Sequence, residues 1–268
     1  MRFDAYCATI PEATMRDVAV TLADSMDGIV NNGSRMKRFG QVLSIDVGNR
    51  MAAWVGQEEY SGHVYVEAKG ETTPALASVI REQYEYHKVP RADVCEDYDE
   101  PGAFERIQAI IRAHKGPRVK GGYVALPDDL EDGRTWAAGV RGGVVYIRDY
   151  EAGKHPDRVH LNRPNWARFE GEFRPHYARD KLAASTMSPV EFFGLSSWSH
   201  KVGQAITGTD INRFVPEIRK YSHDKTTWYV AKTFRRHLEE MIENGEDITR
   251  TFQDVWQELD RQQRRRLA

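Results

Sequence analysis

Residues 133–154 read GRTWAAGVRGGVVYIRDYEAGK. Two β-prone runs, 136–140 and 144–150, flank Arg141-Gly142-Gly143. Gly-Gly between two such runs marks a hairpin, because these turns need a positive φ that glycine takes without steric strain. The spacing predicts two adjacent antiparallel strands. Side chains alternate along a strand, so Tyr146, Arg148 and Tyr150 would share one face. Two phenols flanking a guanidinium suit a group that meets phosphate. A sheet that merely packs its tyrosines would show the same spacing.

Strand patterns recur on both sides of the hairpin: 2–9, 41–47, 50–55, 63–69, 91–98, 121–126 and 166–174. Gly48-Asn49 is a two-residue turn between the second and third of these. Helical patterns fall at 11–26, at 74–87 behind Thr73-Pro74, and after Pro101-Gly102 with Phe104, Ile107 and Ile111 on one stripe. Asn31-Asn32-Gly33 reads as a loop and 155–164 as irregular. From Pro175 onward the pattern is helical, at 180–184, 189–206, 226–244 and 248–267. The predicted plan is an α+β domain over 1–175, a mostly antiparallel curved sheet with packed helices, followed by a helical C-terminal region over 176–268. No solenoid-type repeat is legible.

The 268 residues are 40% hydrophobic and 29% charged, enough for a sizeable core. No apolar run reaches the roughly 20 residues of a membrane helix, and the N-terminus lacks a basic-then-apolar leader. A cytoplasmic protein without a membrane partner is expected. Cys7 and Cys95 alone allow no disulfide framework and no Cys-rich zinc site. The net charge of -2 is not that of a basic nucleic-acid binder, but clusters matter more than totals. Basic clusters stand at 35–38, 115–120, 235–236 and 264–266, and acidic ones at 96–100 and 128–132. Any one of them is most simply a solvated face.

Several chemistries are excluded by missing motifs. There is no Walker A loop, no GxGxxG behind a strand, no HExxH and no His-apolar-His. Ser196 to His200 places Ser and His too close along a helix to face each other. What stays are acids, arginines and tyrosines on predicted strands. Asp93 and Asp97 would share a face of 91–98 with Cys95 between them, an oxygen-donor pair suited to Mg²⁺ or Mn²⁺ or to a solvated edge. Arg168, Glu170 and Glu172 would share a face of 166–174, opposite Ala167, Phe169 and Phe173. A tyrosine with its ordinary pKa of about 10 is a weak nucleophile. A cation and an arginine at the phosphate would help it.

Taken in order, these segments resemble one family. YHKVPRADVCEDYD is similar to an H-x-V-[ST]-R-x-D-x-x-x-D segment, with His87, Val89, Arg91, Asp93 and Asp97 matching and Pro90 departing. The hairpin resembles T-x-Y-x-G-S-R followed by R-x-Y-[DE]-K, through Thr135, Gly139, Arg141, Arg148, Tyr150 and Glu151. WARFEGEFRP resembles a W-x-R-x-E strand through Trp166, Arg168 and Glu170. The family is the Rep_trans group of rolling-circle replication initiation factors of plasmids, phages and integrative elements, and the resemblance covers about residues 1–205. It implies a metal-dependent, origin-specific DNA nickase and strand transferase working through a phosphotyrosine link. Asp93, Asp97 and Glu170 would hold Mg²⁺ or Mn²⁺, and Arg148 and Arg168 would bind phosphate. Origin DNA, single-stranded at the nick, is the implied partner, with a host helicase and a homodimer as further partners.

One departure divides the readings. The first family Tyr falls at Ala137, and the Ser at Val140. Either Tyr150 or Tyr146 is then the nucleophile, or the chain is an initiator or regulator that binds origin DNA without cutting it. A third reading is an α+β protein that handles a small phosphorylated ligand.

Overall fold

The computed structural model describes residues 1–33, 39–58, 61–125, 133–214 and the six positions 241, 243–245, 247 and 250. β1 (Arg2–Ile10) leads into α1 (Met15–Asp24), then β2 (Ile29–Asn32), β3 (Phe39–Val47), β4 (Arg50–Glu58), β5 (Val64–Lys69) and α2 (Thr73–Gln83). The same order then recurs: β6 (Lys88–Asp99), α3 (Ala103–His114), β7 (Gly121–Ala125), β8 (Thr135–Gly139), β9 (Val145–Tyr150), β10 (Trp166–Phe173) and α4 (Ala178–Ala183). α5 (Ser197–Thr207) follows.

The ten strands form one sheet in the order β2-β3-β4-β5-β1-β6-β10-β9-β8-β7, and all neighbours run antiparallel. The α+β expectation holds. β1 and β6 lie side by side at the centre, and each half runs outward from them in the same way. The sheet is therefore two β-α-β-β-β-β-α halves joined along β1–β6. This duplication leaves no legible trace in the residues.

Local signals start the elements. Thr14 caps α1 by accepting from the Asp17 amide at 3.2 Å. The β8–β9 turn closes with the Gly143 amide donating to the Val140 carbonyl at 2.8 Å, over Gly142 at φ 81°. Tertiary pairing overrides them in two places. Residues 29–32 are an edge strand despite two asparagines, held by β3 and by Asn31 donating to Asp46 at 2.8 Å. The helix expected over 189–206 splits into a 3₁₀ turn (Pro189–Leu195) and α5, because Ser196 is extended and caps Ser199 at 3.2 Å. One compact unit spans Met1–Glu217 and a second starts at Ile218. The described residues 176–214 fall within the first unit. The helices expected at 226–244 and 248–267 lie almost wholly outside the described residues.

Strand alternation sorts the sheet into two faces. One face packs Tyr6, Ile45, Val55, Val66, Val94, Ile147 and Phe169, all fully buried, against the helices. Phe193 stacks on Phe169 at 5.3 Å and meets Phe173 edge-on at 4.8 Å. The other face is polar in the second half, while in the first half it carries Phe39, Trp54 and Tyr65 with ring centroids 5.2, 5.4 and 5.6 Å apart. No helix among the described residues is long and apolar enough to cross a membrane.

Asp149 breaks the pattern. It pairs with Trp136 and Phe169 on the apolar face, is fully buried, and neither carboxyl oxygen has a hydrogen-bond partner. Burial first, then Glu105 and Glu151, push its carboxyl up to about 9. The folded state therefore keeps a proton that the unfolded chain gives up near the ordinary value of 3.8. Its stability contribution is whole below that value and falls by about 1.4 kcal/mol per pH unit until the folded carboxyl ionises. Asp149→Asn cannot ionise. It is expected to stabilise the fold at pH 7 by on the order of 2–4 kcal/mol and to flatten denaturation midpoints between about pH 5 and 8. Parallel wild-type and variant pH profiles would refute this.

A candidate active site on the polar face

Three rungs cross β8, β9, β10 and β6 on the polar face. The first is Thr135–Tyr150–Arg168–Asp97, the second Ala137–Arg148–Glu170–Cys95, and the third Gly139–Tyr146–Glu172–Asp93. Pairing brings Tyr146, Arg148, Tyr150, Arg168, Glu170, Asp93 and Asp97 onto one surface, as alternation predicts. Side-chain partners then separate them into groups.

Asp97 belongs to an ion-pair network. It accepts from Arg168 Nε at 2.7 Å, Arg2 Nη2 at 2.7 Å and Trp166 Nε1 at 2.7 Å. Burial pushes its carboxyl up, but Arg168, Arg2 and Trp166 outweigh that and hold it below the ordinary value. Arg168 is 5% exposed and also donates to Asp4 at 3.0 Å. The network ties β1 to β6 and β10, so Asp97 and Arg168 are committed to holding the sheet.

The other acids form a second group. Glu170 is bound by Arg148 and accepts from the Tyr150 hydroxyl at 3.3 Å. Asp93 and Glu172 face each other across β6 and β10, an arrangement that repels unless cations intervene. Arg91 binds Asp93 (Nε to Oδ1, 2.8 Å) and reaches Glu172 at 3.5 Å, while Arg174 donates to Glu172 at 2.7 Å. Burial first, and Glu170 and Glu172 after it, push the Asp93 carboxyl up to about 6 against the pull of Arg91. The acids are buried and the arginines are the more exposed partners. Guanidinium groups therefore form the outer layer.

This bears on the expected metal. Oxygen donors beside a raised carboxyl suit Mg²⁺ or Mn²⁺ in chemistry. As the side chains stand, no group of three or more His, Cys, Asp or Glu among the described residues is placed to hold an ion. Arginines occupy the space between the acids, and Asp97 is turned into its own network. Glu172, which the sequence places beside Glu170, stands closer to Asp93 in register than Asp97 does.

Tyr150 and Tyr146 differ in surroundings. Burial, then Glu170, raise the Tyr150 hydroxyl above its ordinary value, with Arg168 and Arg158 opposing. Arg158 lies 5.9 Å from the Tyr150 ring and 5.1 Å from the Trp166 ring, and its Nη1 is buried without a partner. Sequence reading missed Arg158, because the irregular 155–164 segment has no periodicity to place it. Tyr146 is 8% exposed in the Glu172 rung. Ala137 faces Arg148 and is 4% exposed.

Other motif residues are structural. His87 donates from Nδ1 to the Tyr84 carbonyl (2.6 Å), which leaves Nε2 to accept from Tyr6 (2.7 Å). Burial accordingly lowers its pKa. Glu151 accepts from Arg134 Nε at 2.9 Å and from the Arg134 amide at 2.8 Å; those bonds overcome burial and bring its carboxyl to about 2. Ser199 donates to the Phe193 carbonyl at 2.7 Å and His200 to that of Ile211 at 2.6 Å. Cys7 and Cys95 are buried and free.

Fold and face define a class: a single antiparallel sheet with helices on one side and an arginine–carboxylate–tyrosine array on the other. Among solved structures, the chain is similar to a rolling circle replication initiator protein from Geobacillus stearothermophilus, with a TM-score of 0.51 and 13% identity over 84% of this chain and 89% of that one. At that identity the likeness speaks for the fold. No family model and no curated protein matches the chain.

Proposed function

We propose that the protein is a rolling-circle replication initiator that nicks one strand of its origin and keeps the cut end on Tyr150. The observation that carries this reading is the Tyr150 hydroxyl, donating to Glu170 at 3.3 Å beside Arg148, Arg158 and Arg168. The shared fold of an initiator supports it. In this reading the scissile phosphate meets the outer guanidinium layer, which takes up charge that grows at the transition state. Glu170 accepts the hydroxyl proton as the Tyr150 oxygen bonds to phosphorus, and the bond from phosphorus to the 3′-oxygen breaks. Asp93, with its carboxyl near neutral range, returns a proton to the departing oxygen. The products are a 5′-phosphotyrosyl link and a free 3′-OH, and the retained ester permits later rejoining.

The test is incubation with supercoiled DNA carrying the element's own origin in the presence of Mn²⁺. Relaxed DNA with a covalent adduct is expected. A second reading, an initiator or regulator that binds without cutting, is favoured by Ala137 at the family Tyr position. It predicts salt-sensitive binding with no relaxed product and no adduct.

A further inference from the structure

The cations of the polar face are spent on carboxylates. A different situation holds at the tip of the β8–β9 hairpin. A cleft of about 390 Å³ opens there, lined by Arg118, Lys120, Val140, Val144, Ser196 and Trp198 among others, with no acid in its lining. The Gly139 amide donates to the Lys120 carbonyl at 2.9 Å, which fastens the basic segment to β8. Gly139 is at φ 95°, and a Cβ there would meet the Val145 carbonyl at 2.5 Å and Trp198 at 3.4 Å. The positive φ and the close Val145 carbonyl require glycine there. Val140 and Val144 are 66% and 40% exposed, an apolar rim left in water. Arg118 and Lys120 are exposed, and neither has an ion pair or hydrogen bond from its side chain among the described residues. Arg141 at the turn is exposed and equally unpaired.

We propose that this cleft is a docking site for single-stranded DNA, with backbone phosphates on Arg118 and Lys120 and a base against Trp198 and the valine rim. Unpaired cations beside an accessible aromatic ring and apolar surface are the two features that a single strand, with its alternating phosphates and exposed base faces, can satisfy together. A duplex keeps its bases stacked inside and could use only the cations. The cleft shares Gly139 with the Tyr146–Glu172–Asp93 rung. The proposal rests on the initiator reading and adds the route by which the strand is held.

The test is fluorescence anisotropy of end-labelled oligothymidylate on the full chain, titrated over salt without divalent metal. Arg118→Ala with Lys120→Ala should weaken binding roughly tenfold near 0.1 M salt and reduce the log–log salt slope by about 1.4, about 0.7 per lost contact. Val140→Asp with Val144→Asp, at exposed positions that the fold tolerates, should weaken it as much by putting acid into the cleft. Arg16→Ala with Arg50→Ala is the exposed control and should leave both quantities unchanged. Wild-type affinity and slope in the Arg118/Lys120 variant overturn the cleft while the initiator reading stands. Equal weakening in the control pair also overturns the cleft. A wild-type chain that binds no DNA at any salt overturns both.

Discussion

Tyr150→Phe is expected to abolish the covalent adduct and to lower nicking of origin DNA by roughly 10³-fold or more, the scale on which removal of a nucleophile acts. The substitution deletes one oxygen and leaves the ring beneath Arg158, so the fold should be indifferent. Denaturation midpoints within about 0.5 kcal/mol of wild type would show that the loss is chemical. Tyr146→Phe should keep the adduct, because no carboxylate among the described residues is hydrogen-bonded to that phenol as Glu170 is to Tyr150. The pH dependence has a definite sign. Burial and Glu170 hold the Tyr150 hydroxyl above its ordinary value, so it reacts by passing its proton to Glu170, and because Asp93, raised to about 6, donates only while protonated, the nicking rate should fall as pH rises past about 6. An adduct that survives Tyr150→Phe and vanishes with Tyr146→Phe moves the nucleophile two rungs. An adduct absent from wild type leaves the binding-only reading.

The second large effect is structural. Arg168→Ala should destabilise the described unit by about 2–3 kcal/mol, because it removes charge-assisted hydrogen bonds to Asp97 and Asp4 and leaves Asp97 with Arg2 and Trp166 as its partners. Arg168 bonds Asp97 at 2.7 and 3.1 Å and Asp4 at 3.0 Å, and its guanidinium lies 5.5 Å from the Trp166 ring. In a unit of this size the loss corresponds to a fall in Tm on the order of 10 °C. Arg168→Lys keeps the charge but cannot reproduce the two-pronged contact, so it should fall between. Replacing Asp97 and Arg168 together by Leu and Met should recover most of the loss, since no lone charge is left buried. A Tm unchanged in Arg168→Ala would free Asp97 for the ligand role that the family resemblance gives it.

Much of this was legible in the residues, and the reasons it stops are physical. Period-two alternation located nine of the strands and put Tyr146, Arg148, Tyr150, Arg168, Glu170, Asp93 and Asp97 on one surface. Face is a property of one strand. Partners across strands depend on register, which no local pattern carries. Asp97 meeting Arg168, and Glu172 meeting Asp93, could therefore not be read from spacing. Arg158 lies outside periodic sequence altogether. Asp149 shares its strand with three site residues, and only the packing of α3 against the sheet reveals it as a buried acid.

The seam between β1 and β6 has a consequence for how such a protein can diverge. Two copies of one unit meeting along equivalent strands are the geometry of a two-fold dimer, whose subunits must share every substitution. Fused into one chain, the copies are released from that bond. One half has filled the shared face with Arg148, Tyr150 and Glu170, and the other has filled it with Phe39, Trp54 and Tyr65. The ion pairs of Arg2 and Asp4 with Asp97 and Arg168 then act as a one-sided weld across the seam. Joined halves of this kind can divide labour within a single molecule, which identical subunits cannot do.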